Sequence, residues 1–391
     1  MANSFEPVRA CASPSAPERA CARVAVFTHV EDARGDWAAL EADGAGSAYQ
    51  TRAFVLPWLR FMSDGARPLI TIGYDAADRP AVLLPLVAVR RGPVTLGVFA
   101  GGRECNLSAP LRRPGFCESP ATARALLRAA ARAAPVDVFV LRNQPAVWNG
   151  APNGFARLAP HAAPSDAYGA TFGADADAFL QRTQSKNARK KLKAKAAKLA
   201  EQGAVTVERA QDPNRARTLL ASFVDQKTHR FAARGKDAGV AGVAARAFLD
   251  ALATDRAGGA PALDLYALCV DDRIVATYGG LAFKTHWHGL FNSIAIADAI
   301  VRCSPGDLLL RAILPDLAAR GLRSFDLGIG EARYKTAICD ERMALWDTFQ
   351  PASVAGRLWA PLEIARRGLK RRIKHTPWAL AFVERMRAGQ A

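Results

Sequence analysis

The chain has 391 residues, half of them hydrophobic, and 53 Lys and Arg against 36 Asp and Glu leave a formal net charge of +17. This length is more than one core ordinarily takes and fits two domains. The basic excess points to an anionic partner, whether a nucleotide-bearing cofactor, a nucleic acid or a membrane surface. The seven cysteines, Cys11, Cys21, Cys105, Cys117, Cys269, Cys303 and Cys339, are odd in number and form no C-x-x-C pair. That argues against a disulfide scaffold and a zinc site, and for a reducing cytoplasm.

Residues 1–21 include Glu6, Pro7, Pro14, Pro17 and Glu18 and lack an apolar run, so a frayed tail is expected there and no signal peptide. No later segment reaches the roughly 18 apolar residues of a membrane span. Residues 22–30 predict a strand, 31–42 a helix, and 50–62 a second helix interrupted at Pro57, with Phe54, Trp58 and Phe61 at core-like helical spacing. Three β-rich runs at 67–74, 81–90 and 94–101, separated by turns, predict an antiparallel meander. A helix over 120–134 and a buried strand over 136–141 close this half. A Pro-, Gly- and Ala-rich stretch at 151–167 sets the domain boundary, giving modules at 22–160 and 161–354.

The second half opens with a strand at 168–172 and a single long helix over 175–202. That helix carries Arg182, Lys186, Arg189, Lys190, Lys191, Lys193, Lys195 and Lys198 with no intervening acid. Interleaved aromatics are absent, so the run signals anion binding without base readout. A strand at 205–209, helices at 214–233 and 243–254, and a second meander at 264–270, 274–283 and 286–293 repeat the element order of the first half. Residues 342–354 predict a last strand pair, and 355–391 a basic amphipathic helical tail broken at Pro377, in which Arg366, Arg367, Lys370, Arg371, Arg372 and Lys374 lie near Leu369, Ile373, Trp378 and Phe382. This tail suits an anionic membrane surface and equally a helical cap burying Trp359 and Trp378.

Between the meander and the tail lies Arg302-Cys-Ser-Pro-Gly-Asp-Leu-Leu-Leu. Ser304 suits an N-cap, Pro305 the first helical position, and Gly306 allows close approach to unsatisfied backbone amides, which is how a helix start holds a phosphate. The helix is expected to run to Gly321 with a kink at Pro315. A strand at 324–329 then leads to a polar turn with Glu331, Tyr334 and Lys335.

These segments resemble the CelD and FemAB-like group of GNAT acyltransferases. The resemblance rests on Gln50-Thr-Arg-Ala-Phe-Val-Leu-Pro-Trp-Leu, Ser185-Lys-Asn-Ala-Arg-Lys-Lys-Leu, Arg273-Ile-Val-Ala-Thr-Tyr-Gly-Gly, Ser304-Pro-Gly-Asp-Leu-Leu-Leu and Phe325-Asp-Leu-Gly-Ile-Gly-Glu-Ala-Arg-Tyr-Lys. It implies an α+β chain of two tandem GNAT-like modules, each a mixed, mostly antiparallel sheet flanked by helices. It also implies an acyl-CoA site, with acetyl-CoA first among donors, lined by Arg302, Cys303, Ser304, Gly306, Asp307 and Leu308. The loop departs from the usual Q/R-x-x-G-x-G/A pattern in carrying Asp307, and FemAB relatives use aminoacyl-tRNA as donor.

Acyl transfer needs a base for the acceptor proton, donors for the oxyanion and an acid for the leaving thiolate. Glu331, Tyr334 and Lys335 are of the right types, although Glu331 and Lys335 also fit a surface i,i+4 pair. His286 and His288 share a strand face; no third ligand for a metal stands out, and His288 is a reserve base. Cys303 is expected to be a packed thiol. The expected activity is acyl transfer from acyl-CoA to an amine or hydroxyl of a polysaccharide or cell-envelope precursor, without metal, in the cytoplasm or at the inner membrane face. A tRNA-dependent aminoacyl transferase and a non-catalytic accessory protein of polysaccharide biosynthesis are the alternatives.

Overall fold

The computed structural model describes residues 18–233, 235, 239–255 and 260–376. Most of the expected N-terminal tail, and Pro377, Trp378 and Phe382 of the expected C-terminal one, lie outside them. The first module contains β1 (Arg23–Phe27), α1 (Arg34–Asp43), α2 (Arg52–Phe61), β2 (Arg67–Tyr74), β3 (Pro80–Arg91), β4 (Val94–Phe99), β5 (Leu111–Arg112), α3 (Pro120–Ala133), β6 (Val138–Pro145), and the short strands β7 (Val147–Trp148), β8 (Ala151–Pro152) and β9 (Pro160–Ala162). The second contains β10 (Ala167–Thr171), α4 (Ala176–Thr183), α5 (Lys186–Ala200), β11 (Val205–Arg209), α6 (Pro213–Ala232), α7 (Val243–Thr254), β12 (Leu263–Val270), β13 (Arg273–Phe283), β14 (His286–Ile294), α8 (Asp298–Arg302), α9 (Pro305–Ala319), β15 (Ser324–Ile329), α10 (Arg333–Thr336) and β16 (Glu341–Met343). The chain then forms β17 (Leu345–Pro351) and α11 (Val354–His375).

The strands make two large sheets, ordered β1-β2-β3-β4-β6-β17-β9 with β5 on β3, and β11-β12-β13-β14-β15-β10-β16. Each contains an antiparallel meander and one parallel step, β4 beside β6 and β14 beside β15, bridged by α3 and α9. This is the α+β architecture of two tandem GNAT-like modules. The expected last strand pair at 342–354 is divided between the sheets: β16 adds to β10, whereas β17 crosses back and pairs with β6. The crossing places residues 345–351 in the sheet of the first module, a long-range pairing that local periodicity cannot reveal.

Two local expectations change as well. The single helix at 175–202 is two helices, because Ser185 takes an extended conformation and its Oγ accepts from the Ala188 amide at 3.2 Å, starting a second helix. The helix carrying Pro57 continues through the proline instead of being interrupted there. Phe54 and Trp58 are buried, as their spacing predicts, and they lie in a core shared by both modules, where the Phe54 and Phe248 rings meet edge to face at 5.6 Å. That shared core fixes α2 against α7 and brings first-module side chains up to the second sheet.

Candidate functional site

Strands β14 and β15 pair in parallel only over His286–Ser324, Trp287–Phe325 and His288–Asp326. Beyond that point they part, and Asn292, Ser293 and Ile294 line a cavity of about 680 Å³ together with the start of α9 and one side of α5. Cations dominate its wall: Lys191 and Lys195 from α5, Lys227 and Arg230 from α6, Arg311 from α9 and Arg333 from α10, against the single acid Asp307. The Lys-rich helix therefore does more than solvate a surface. It turns two of its lysines over the start of α9.

At that start, Ser304 adopts the left-handed conformation with φ of 53° and makes no side-chain cap. Its Oγ instead accepts from Lys195 Nζ at 2.6 Å, tying the basic helix to the loop. The Asp307 and Leu308 amides donate to the Ser304 carbonyl at 3.0 and 3.2 Å, so the helix start exposes fewer unsatisfied amides than the sequence suggests. Ser304, Gly306 and Asp307 line the cavity, whereas Arg302 is exposed and donates to the Asp298 carbonyl at 3.3 Å. Cys303 is fully buried, its thiol facing the Ala299 carbonyl at 3.3 Å, which matches a packed residue. Leu308 faces a smaller neighbouring pocket of about 400 Å³.

The turn after β15 does not bring its three polar residues together. Glu331 is exposed and pairs with Tyr168, and the surface pair with Lys335 does not form. Tyr334 lines the cavity beside Asn292 and Tyr278, and burial raises its phenol above the ordinary range. Lys335 is buried, and its Nζ donates to the Gly328 and Ile329 carbonyls at 3.1 and 2.9 Å. Burial pushes this amine down to about 8. It acts as a clamp on the end of β15.

A second cluster forms where β14 and β15 are still paired. Asp326 is fully buried; one carboxylate oxygen faces His288 Nδ1 at 2.6 Å and His286 Nε2 at 3.0 Å, and the other accepts from the Gly328 amide at 2.8 Å. His286 Nδ1 lies 2.7 Å from Ser324 Oγ. Burial alone would raise the Asp326 carboxyl, but the two facing rings hold it well below the carboxylate range. Burial lowers the pKa of His288, so its ring is neutral at pH 7. Because the carboxylate can only accept, Nδ1 carries the proton and Nε2 is left as a base, and Nε2 is buried with no hydrogen-bond partner.

The first module closes over this base. The Trp148 ring stacks on His288 at 5.9 Å and the Tyr49 ring lies 5.1 Å away. Asn106 donates to the Tyr49 hydroxyl at 3.0 Å, and the Trp148 indole donates to the Gly46 carbonyl at 2.8 Å. Asn106 also rests on Gly328, where a Cβ would meet its amide at 2.6 Å and where φ is +71°. Asp326 is the third metal-type donor that the sequence left unidentified: ligand atoms of His286, His288 and Asp326 all lie within 4.8 Å of one another, a set that fits a small divalent cation as well as the hydrogen-bond network seen. Sequence reasoning missed Asp326, Tyr49, Asn106 and Trp148. The one available signal was a lone acid at 326 inside an otherwise apolar strand.

Residues 186–336 match the family model for an acetyltransferase (GNAT) domain. No curated protein matches the sequence. Among solved structures the chain is similar to FemX, with a TM-score of 0.60 and 11% identity over 87% of this chain and 100% of that one. It is also similar to the C-terminal domain of a putative lysylphosphatidylglycerol synthetase from Agrobacterium fabrum, with a TM-score of 0.50 and 12% identity over 85% and 95% of the two chains. A conserved protein of unknown function from Bacteroides thetaiotaomicron gives 0.53 and 10% identity over 84% and 100%. At such identities the likeness is one of fold, and it extends along most of each chain. Residues 186–336 therefore form a GNAT-type acetyltransferase domain, and the chain as a whole shares its two-module fold with FemX.

Proposed function

We propose that the protein transfers an acyl group from an acyl-CoA to an amine or hydroxyl, in the manner of the CelD and FemAB-like group. The observation that carries this reading is the cation-lined cavity at the start of α9, in the gap where β14 and β15 part. Lys191, Lys195 and Arg311 would face the pyrophosphate with Ser304 and Gly306 beneath it, and Tyr334 would stand near the thioester sulfur as proton donor to the leaving thiolate. His288, oriented by Asp326, takes the acceptor proton at Nε2 as the acceptor attacks the thioester carbonyl; the acyl–sulfur bond breaks in the same exchange. Lys335 and Glu331 have no direct part in this scheme, Lys335 holding the strand that carries Asp326.

His288 is sealed by Trp148 and Tyr49, so the acceptor enters between the modules by displacing the Trp148 ring. An aromatic platform of this kind suits the apolar face of a sugar, and a polysaccharide or cell-envelope precursor is the proposed acceptor. The Lys-rich helix α5 supports a second reading, with charged tRNA as donor in place of acyl-CoA. The test is thiol release from acetyl-CoA and longer acyl-CoAs with amino-sugar and hydroxyl acceptors. Acceptor-dependent release that is lost in His288→Asn supports the first reading. Absence of CoA turnover, with aminoacyl transfer from charged tRNA, would replace it by the second.

A further inference from the structure

Helix α11 packs Ala360, Trp359 and Ile364 on the apolar face of the first sheet and carries a second apolar row on its outer side. Toward the first sheet it buries Gly356, Ala360 and Glu363, and it is fastened there by polar side chains: Arg367 to Asp347, Glu363 to Arg142 at 3.1 Å, and Lys374 to Ser165 at 2.8 Å. Toward solvent it presents Val354, Leu358, Leu362 and Leu369, whose relative exposures are 71%, 73%, 73% and 59%. At 100° per residue these four side chains fall within one narrow stripe along the helix. Single exposed leucines are ordinary on a protein surface; an aligned row of them is a surface built to be covered.

The borders of the stripe say what covers it. Arg357 flanks it near the start of the helix, Lys370 beside Leu369, and Arg372 stands at its far end, all exposed. Long basic side chains beside an apolar row bury their stems in the acyl boundary and keep their charges among anionic headgroups. We propose that the outer face of α11 docks the protein on an anionic lipid surface, with the leucines inserted and Arg357, Lys370 and Arg372 on the headgroups. The charge complementarity selects this occupant over an apolar protein groove. None of these side chains lines the cation-rich cavity or the His288 cluster, so the inference is independent of the acyl-transfer reading.

The test is co-sedimentation of the full chain with vesicles of equal parts phosphatidylcholine and phosphatidylglycerol, and with vesicles of phosphatidylcholine alone. Wild type is expected to bind the anionic vesicles, less in high salt, and to bind neutral vesicles at least about tenfold more weakly. Leu358→Ser/Leu362→Ser should weaken binding about tenfold or more, and Arg357→Gln/Lys370→Gln/Arg372→Gln by a similar factor. All of these residues are exposed, so both variants should keep the wild-type melting temperature, which shows that they fold. No sedimentation of wild type with anionic vesicles would overturn the proposal. So would binding that both folded variants retain.

Discussion

The two modules share a Ser-Pro helix start between parallel strands, and they use it in opposite ways. In the first, Ser119 caps α3 by accepting from the Thr122 amide, and the Glu18 carboxylate accepts from the Glu118 and Ser119 amides at 2.9 and 2.7 Å. An acid of the chain itself occupies the place that an anionic ligand would take, and although burial opposes it, hydrogen bonds from Thr122 and Ser119 keep that carboxyl below its ordinary range. In the second, Ser304 makes no cap, Lys195 reaches over it, and a cavity opens in front. The parallel pairs differ in the same sense: Leu96, Gly97 and Val98 face Val138, Phe139 and Val140 in the first module, whereas two histidines face Ser324 and Asp326 in the second. One copy of the fold is closed and supporting, and the other is open and charged.

The largest effect should come from breaking the buried carboxylate–histidine cluster in the second module. Asp326→Asn leaves buried histidine N–H groups without their acceptor and is expected to cost about 1–3 kcal/mol in urea unfolding, whereas a volume-conserving exchange in the equivalent first-module pair, such as Leu96→Met, should cost less than about 1.5 kcal/mol. His288→Asn keeps a donor toward Asp326 but removes the base, so the turnover rate should fall about 10²–10⁴-fold with the fold preserved. With His288 lowered by burial, activity should rise with pH through a value below the ordinary histidine range and stay high toward alkaline pH; a profile centred at or above that range would assign the proton to another group.

A smaller effect concerns stability. Burial pushes the Lys335 amine down to about 8 in the folded chain, below the ordinary lysine value of 10.5, so the unfolded chain holds the proton that the folded one loses. Stability should therefore rise as pH increases from about 8 to 10.5, and Lys335→Met should flatten that rise in a pH series of melting temperatures. The smallest effect is reserved for the closed copy. Glu18→Gln should lower stability by no more than about 1 kcal/mol and leave acyl-donor binding unchanged; a gain of anion binding at α3 would show that the acid blocks a competent site.

Much of this division was legible beforehand. Repeated meanders, the Ser-Pro-Gly-Asp helix start and the lysine run point to two similar modules with a basic helix start in the second, where the cation-lined cavity lies, because periodicity and turn chemistry are local properties. The crossing of β17 to the first sheet was hidden, since pairing between residues two hundred positions apart leaves no local trace. The proposed base was only half visible. His288 stood out by type, but its partner Asp326 lies on a different strand, and Tyr49, Asn106 and Trp148 reach it through the packing of one module against the other. The Glu331 to Lys335 turn illustrates the converse: side chains adjacent in sequence point to three different surroundings.

The contrast between the copies is tested most directly by calorimetric titration of CoA into the wild-type chain, Lys191→Gln/Lys195→Gln and Glu18→Gln at two salt concentrations. One site per chain is expected in wild type and in Glu18→Gln. In the lysine variant, affinity should be roughly tenfold weaker, with a reduced salt dependence. Equal affinity in all three proteins, or no binding of CoA to any of them, would contradict the assignment of the open helix start to the acyl donor.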